Sequence, residues 1–205
     1  LHAQEHEAAR KNVVLIDQST FGKLIVKGRD SEKFLQRVCA NDISSAHDKV
    51  VYTPMLNAHG GYESDLTIMG LGDDRFLLIT GTGQPVRDYN WICSKIKPEE
   101  FVSVTDITGD YAVISVAGPN SRKLLSLVSP DNFSNEEFSY FTHRNVKIGP
   151  AIVRAARLSY TGELGWELYV PNESAIPVFD ILNEYGSDYG LKMAGMEALR
   201  SLRIE

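Results

Sequence analysis

The run Ser159-Tyr160-Thr161-Gly162-Glu163-Leu164-Gly165-Trp166-Glu167-Leu168-Tyr169 is the densest chemical stretch in this chain. It gathers two carboxylates, two tyrosines, an indole and two glycines. Glycines let backbone and ligand approach closely, because they lack a Cβ and accept positive φ. A carboxylate beside an aromatic wall suits a flat, nitrogen-rich heterocycle. The acid accepts two ring N–H donors while the rings bury the faces. The same run also reads as a glycine turn between two strands with Trp166 in the core. Local composition does not choose between the two.

A second stretch runs from Tyr52 to Thr67 and contains Asn57-Ala58-His59-Gly60-Gly61 followed by Tyr62-Glu63-Ser64-Asp65. Asp65 falls on a strand just after a glycine hairpin. Strand alternation predicts that Glu63 and Asp65 point one way and Ser64 the other. Taken alone, the two acids fit a solvated strand face.

The elements that must position these residues follow from pattern. A short polar helix is expected over 3–10, with strands at 13–16 and 21–26. Asp30 is placed to cap a helix that carries Phe34, Leu35 and Val38 on one face and ends near Cys39. Strands at 50–56 and 62–69 flank the glycine hairpin, and another spans 75–80. Pro85 opens a helix to about 96. Strands at 101–107 and 111–117 are expected to pair across Thr108-Gly109-Asp110. Pro119 starts the next helix. Residues 129–145 read as a loop with little hydrophobic period. Strands at 151–159 and 166–170 flank the first motif, and Ser174 caps a last helix that ends at Gly186. Hairpins broken by single helices argue an α+β fold of antiparallel sheets with interspersed helices, not a doubly wound parallel sheet.

The chain has 205 residues, 43% of them hydrophobic and 23% charged, with a formal net charge of −6. That is the profile of a folded protein with a real core, in one large domain or two small ones. No lysine- and arginine-rich run marks a nucleic-acid partner. No apolar run approaches the ~18–20 residues of a membrane span. No dinucleotide, P-loop or nucleophile-elbow motif is present. His2 and His6 share an i, i+4 spacing but lack apolar support, so no metal site is expected. Cys39 and Cys93 read as free buried thiols, which implies a reducing compartment: the cytoplasm, with the mitochondrial matrix as alternative. The first residue is not Met and no signal peptide is legible. The helix-forming run 197–205 stops without a cap, so further chain is expected beyond it.

Both dense stretches, in order, resemble the aminomethyltransferase family: the glycine-cleavage T-protein and its tetrahydrofolate-binding relatives. The nearest relatives look like the C-terminal folate-binding parts of sarcosine and dimethylglycine dehydrogenases. Asp17 with Phe21-Gly22-Lys23, residues 57–67, Gly118-Pro119, residues 158–171 and residues 198–205 carry the resemblance. It implies a single folate-binding domain over 1–205 that lacks a following β-barrel module. By resemblance Glu167 meets the pterin's amino and ring N–H donors, and Tyr160 packs or hydrogen-bonds near the folate. Tyr52 and the backbone around Ile79 line the pocket. Asp65 matches the family's essential catalytic aspartate, beside the nitrogens that take up the one-carbon unit. One departure is Leu199, where T-proteins carry an arginine that assists folate binding; Arg200 and Arg203 are its nearest cations.

The implied activity is formation of 5,10-methylenetetrahydrofolate from formaldehyde or a methylamine-derived iminium. Tetrahydrofolate is the implied cofactor. FAD would belong to a separate N-terminal flavin dehydrogenase domain of the same polypeptide. Glu167 is expected to share one hollow with Asp65. The other readings are a non-catalytic regulatory or folate-sensing relative, and a demethylase acting on a sulfur or oxygen methyl group.

Overall fold

The computed structural model describes residues 2–204; Leu1 and Glu205, the last residue of the 198–205 run, lie outside them. The chain divides into two compact units, one of residues 1–19 and 109–205, the other of residues 20–108. In chain order, α1 (His2–Lys11) leads into β1 (Val13–Asp17). Residues 20–108 then supply β2 (Gly22–Lys27), α2 (Ser31–Val38), β3 (Val51–Leu56), β4 (Tyr62–Gly72), β5 (Arg75–Thr80), α3 (Pro85–Ser94) and β6 (Ser103–Asp106). The chain continues with β7 (Tyr111–Ala117), α4 (Ser121–Val128), β8 (His143–Ile148), β9 (Ala151–Ala156) and β10 (Gly165–Pro171). It closes with α5 (Ala175–Gly186), β11 (Leu191–Ala194) and α6 (Met196–Ile204).

The unit of residues 20–108 is a five-stranded antiparallel sheet in the order β3-β4-β5-β2-β6. One face carries Leu24, Val26, Leu66, Ile68, Phe76 and Leu78 against Phe34 and Leu35 of α2 and Ile92 of α3. The β3–β4 hairpin is cinched by Asn57, whose Oδ1 accepts from the His59 amide at 3.0 Å and the Gly61 amide at 2.9 Å. Gly60 takes φ +75 there, a left-handed turn conformation that glycine adopts at little cost. Both cysteines are free, as expected, but only Cys39 is buried and Cys93 is half-buried. Burial pushes the Cys39 thiol up to about 12.

The other unit is a six-stranded sheet in the order β11-β1-β7-β10-β9-β8. Alternate residues of β10, Trp166, Leu168 and Val170, face α4 and α5 in the larger core. The opposite face at β1 carries Val14 and Ile16 against the small and branched residues of α1 and α6, among them Ala8, Ala198 and Leu202.

The α+β class holds, and three local expectations change. The strands expected to pair across 108–110 belong to different sheets: β6 pairs with β2, whereas β7 pairs with β1 and β10. Two short strands escaped the pattern. β8 begins inside the expected loop, and its core-facing positions start with Arg144 instead of an apolar residue, which hides the alternation. β11 pairs with β1 in parallel, the one non-antiparallel pairing among the described strands. A parallel partner distant in sequence leaves no hairpin signal. The helix expected from Pro119 begins at Ser121.

Residues 129–142 stay irregular but are held firmly. Phe133 and Phe138 pack edge-on against Trp166, with ring centroids 5.4 and 6.1 Å away. Arg122 donates to the Phe133 carbonyl at 2.8 Å and Arg157 to the Phe138 carbonyl at 2.6 Å. Both guanidiniums also meet Asn135 Oδ1. Trp166 is therefore a core residue with no accessible surface. Trp166→Ala is expected to lower the unfolding free energy by about 3–5 kcal/mol, the cost of a large aromatic cavity. Tyr160→Ala, in an exposed loop, should change it by less than about 1 kcal/mol. Urea denaturation of the two variants separates them.

Candidate functional site

Strand pairing in the 20–108 unit puts three of the expected site residues on one face. Tyr52 lies opposite Thr67, Thr67 opposite Ile79, and Asp65 opposite Pro54. Tyr52 and Asp65 are thus diagonal neighbours, within reach of an aromatic side chain. The Tyr52 hydroxyl donates to Asp65 Oδ2. Burial and the carboxylate together push the Tyr52 phenol well above its ordinary range, so it remains a donor at any physiological pH. Tyr62 sits close enough to both groups for its own phenol to be raised, chiefly by burial and next by Asp65. One oxygen of Asp65 is thereby occupied, and its carboxylate remains partly accessible. Ile79 is buried on the same face.

Alternation holds for Ser64, which turns away from Asp65 as expected, but not for Glu63. The β3–β4 register shifts between Met55 and Leu56, where Leu56 faces Tyr62 and Met55 faces Ser64. Such an irregularity re-aims the side chains around it. Glu63 therefore does not join Asp65. It accepts from Asn57 at 3.0 Å and from Arg87 at 2.7 Å, and these two partners hold its carboxyl below the usual range. Ser64 turns inward and donates to Asp88 at 2.9 Å.

Glu167 lies in β10 between Ser115 of β7 and Ala156 of β9. The strand period sends it to the face opposite Trp166, so the indole is not its aromatic wall. Its neighbour on that face is Tyr169, only 1% exposed, whose hydroxyl donates to Glu167 Oε2 at 2.6 Å. Glu167 itself is 7% exposed. Burial pushes its carboxyl up to about 6, partly opposed by the Tyr169 hydrogen bond. Among the described residues it has no cationic partner and no second hydrogen bond. Farther along the same face Arg154 donates to His143 Nδ1 at 2.8 Å.

Tyr160 stands in the loop before β10, 51% exposed, with the Arg203 guanidinium 5.8 Å from its ring centroid. The loop is anchored by Arg10, which pairs with Glu163 at 2.6 Å and donates to the Thr161 carbonyl at 3.2 Å. Glu163, the other acid of the motif, is thus a structural ion pair. Leu199 is buried in the α1–α6 packing. Arg200 turns to Glu197 at 3.0 Å, leaving Arg203 as the α6 cation beside Tyr160. Sequence reasoning missed Tyr169 although the signal was present: residues i and i+2 of a strand share a face. It missed Tyr62 because the register shift is invisible in composition; it sent Ser64 away from Asp65 correctly, but its partner Asp88 lies on a helix distant in sequence and leaves no local signal.

The chain belongs to the family described as the GCVT N-terminal domain, which matches it over residues 1–205. It is 43% identical over 203 residues to 4-methylaminobutanoate oxidase (formaldehyde-forming) of Paenarthrobacter nicotinovorans, covering 99% of this chain and 24% of that protein. An aminomethyltransferase of Caldanaerobacter subterraneus is 36% identical, covering 98% of this chain and 54% of its own length. Mitochondrial dimethylglycine dehydrogenase of Rattus norvegicus is 35% identical, covering 98% and 24%. The chain therefore spans about half of one kind of relative and about a quarter of the others. The crystal structure of the glycine cleavage system aminomethyltransferase T from Bartonella henselae superposes with a TM-score of 0.85. It covers 99% of this chain and 53% of that one, and at 22% identity it speaks for the fold. No helix among the described residues is long and apolar enough to cross a membrane.

The raised Glu167 carboxyl makes a stability prediction. The folded state holds this proton more tightly than the unfolded chain does. The cost of burying the charge is therefore fully present above pH 6 and disappears as pH falls toward 4.5. The rise from 4.5 to about 6 corresponds to about 2 kcal/mol. Glu167→Gln is expected to be more stable than the parent by about that amount at pH 8 and equal to it near pH 4.5. Parallel denaturation curves at the two pH values measure the gap.

Proposed function

We propose that this chain is a tetrahydrofolate-dependent one-carbon transfer domain. It would take formaldehyde or a methylamine-derived iminium and yield 5,10-methylenetetrahydrofolate, with water or the demethylated amine as the leaving group. The observation that carries this reading is Glu167: a carboxylate removed from water, bonded to one hydroxyl and to no cation among the described residues. A buried charge with unused acceptor capacity is costly until donors complete it. The edge of a reduced pterin, with an amino group and a ring N–H side by side, supplies two parallel donors to one carboxylate. The residues present therefore fit the group.

Bound tetrahydrofolate supplies the nucleophilic nitrogens that accept the carbon. The chain's own residues do the rest. Glu167, with Tyr169 fixing one oxygen, orients the heterocycle and makes the encounter effectively unimolecular. Tyr160 and Ile79 serve as apolar and aromatic lining. Asp65 favours the cationic character that develops on the incoming amine carbon and can receive a proton from the attacking nitrogen. Tyr52 keeps that carboxylate turned. The relatives' names support the substrate class, since methylaminobutanoate, dimethylglycine and aminomethyl groups all carry a one-carbon unit on nitrogen. A flavin dehydrogenase domain in the same polypeptide is the proposed source of the oxidised carbon. Leu199 in place of the T-protein arginine favours this branch over glycine cleavage.

Calorimetric titration with tetrahydrofolate, followed by a formaldehyde-dependent assay, tests the reading. Glu167→Gln should weaken folate binding at least tenfold, because an amide cannot accept both donors. Asp65→Asn should bind folate normally and lose transfer roughly a hundredfold. Unchanged turnover in Asp65→Asn with normal binding would remove Asp65 from the mechanism.

A further inference from the structure

The first turn of α3 grips the strand just before Asp65. Ser64 is 2% exposed and Asp88 1% exposed, and the serine hydroxyl donates to Asp88 Oδ2 at 2.9 Å. Gln84 donates its amide to the same serine oxygen at 3.2 Å, so the hydroxyl is complete as donor and acceptor. One residue earlier, Arg87 holds Glu63 at 2.7 Å and also reaches Gln84 at 2.9 Å. Three side chains at the helix start, Gln84, Arg87 and Asp88, fasten residues 63 and 64 of β4. Asp65 is the next residue, and it points the other way, toward Tyr52.

A buried acid is a costly way to hold a strand for stability alone. Replacing such polar groups by apolar ones of similar shape is often neutral or favourable. Burial raises the Asp88 carboxyl, while Ser64, Arg87 and Thr80 oppose that rise and Asp65 adds to it. We propose that Asp88, acting through Ser64, is a positioning residue for Asp65, fixing the strand backbone so that the Asp65 carboxylate presents one set direction to the one-carbon centre. The placement itself is a property of the ligand-free chain. Its role in transfer rests on the folate reading above.

The substitutions that separate bond from charge are Asp88→Asn, Asp88→Ala and Ser64→Ala. The asparagine oxygen can accept the same hydroxyl, and its NH₂ can donate to the buried Thr80 Oγ1, since a hydroxyl accepts as well as donates. The full chain is labelled with ¹³C-carboxyl aspartate, and the Asp65 resonance is assigned by its loss in Asp65→Asn. At pH 7 without ligand, that resonance should stay in place in Asp88→Asn and move in Asp88→Ala and Ser64→Ala. With folate and formaldehyde, Asp88→Ala should lower kcat roughly tenfold with KM for tetrahydrofolate within about twofold. Asp88→Asn should rescue it, and Asp88→Ala should add nothing to Asp65→Asn.

An Asp65 resonance unmoved in all three variants overturns the proposal. So does an equal displacement in Asp88→Asn and Asp88→Ala, which would mean that charge and not the hydrogen bond is felt. If Asp88→Ala fails to fold, Ser64→Ala still decides. If the wild-type chain binds no folate but the resonance pattern holds, the positioning pair stands and the folate reading fails.

Discussion

A single carboxylate stripped of water sets the terms for this molecule. Glu167 is enclosed in the middle of a six-stranded sheet, on a central strand flanked by two others. The chain gives it one hydroxyl from Tyr169 and nothing else among the described residues. Evolution removes such groups readily when they serve packing, since an apolar residue of similar volume would stabilise the sheet. Retaining the acid makes physical sense if a ligand completes its hydrogen bonds. The surrounding residues follow from that requirement. Ala156 and Ser115 are small neighbours that leave the carboxyl room, and Tyr169 fixes which oxygen is engaged.

Asp65 meets a different constraint. It is partly accessible, and its direction is the difficulty. Direction is supplied from both sides of β4. Tyr52 holds one carboxylate oxygen, and α3 holds the two preceding residues. The register shift opposite Tyr62 makes this division possible, sending Glu63 to the helix, where alternation already places Ser64, and leaving Asp65 to the tyrosines. A regular strand would have put Glu63 beside Asp65 and doubled the negative charge.

Much of this was readable before the structure. Pro85 does open α3, the Asn57–Gly61 turn does join β3 to β4, and the alternation of hairpins with single helices does give an α+β fold. Of the two readings of residues 159–169, the structure bears out the one that put Trp166 in the core. Adjacent residues on a strand face opposite ways, so Trp166 went to the core and Glu167 to the other face. What could not be read was non-local. β6 and β7 sit side by side in sequence yet join separate sheets, and β11 finds β1 in parallel with no turn to announce it. Arg144 disguised the start of β8. The Glu63–Arg87 pair depends on a one-residue irregularity that composition does not record.

The most direct measurement of the central claim is proton release on folate binding. Titrations in two buffers of different ionisation enthalpy count the protons exchanged. If pterin donors require an ionised Glu167 with a carboxyl near 6, binding at pH 6 should release about half a proton, binding at pH 8 close to none, and Glu167→Gln none at either. Equal affinity and equal proton exchange in the parent and in Glu167→Gln at both pH values would contradict the account.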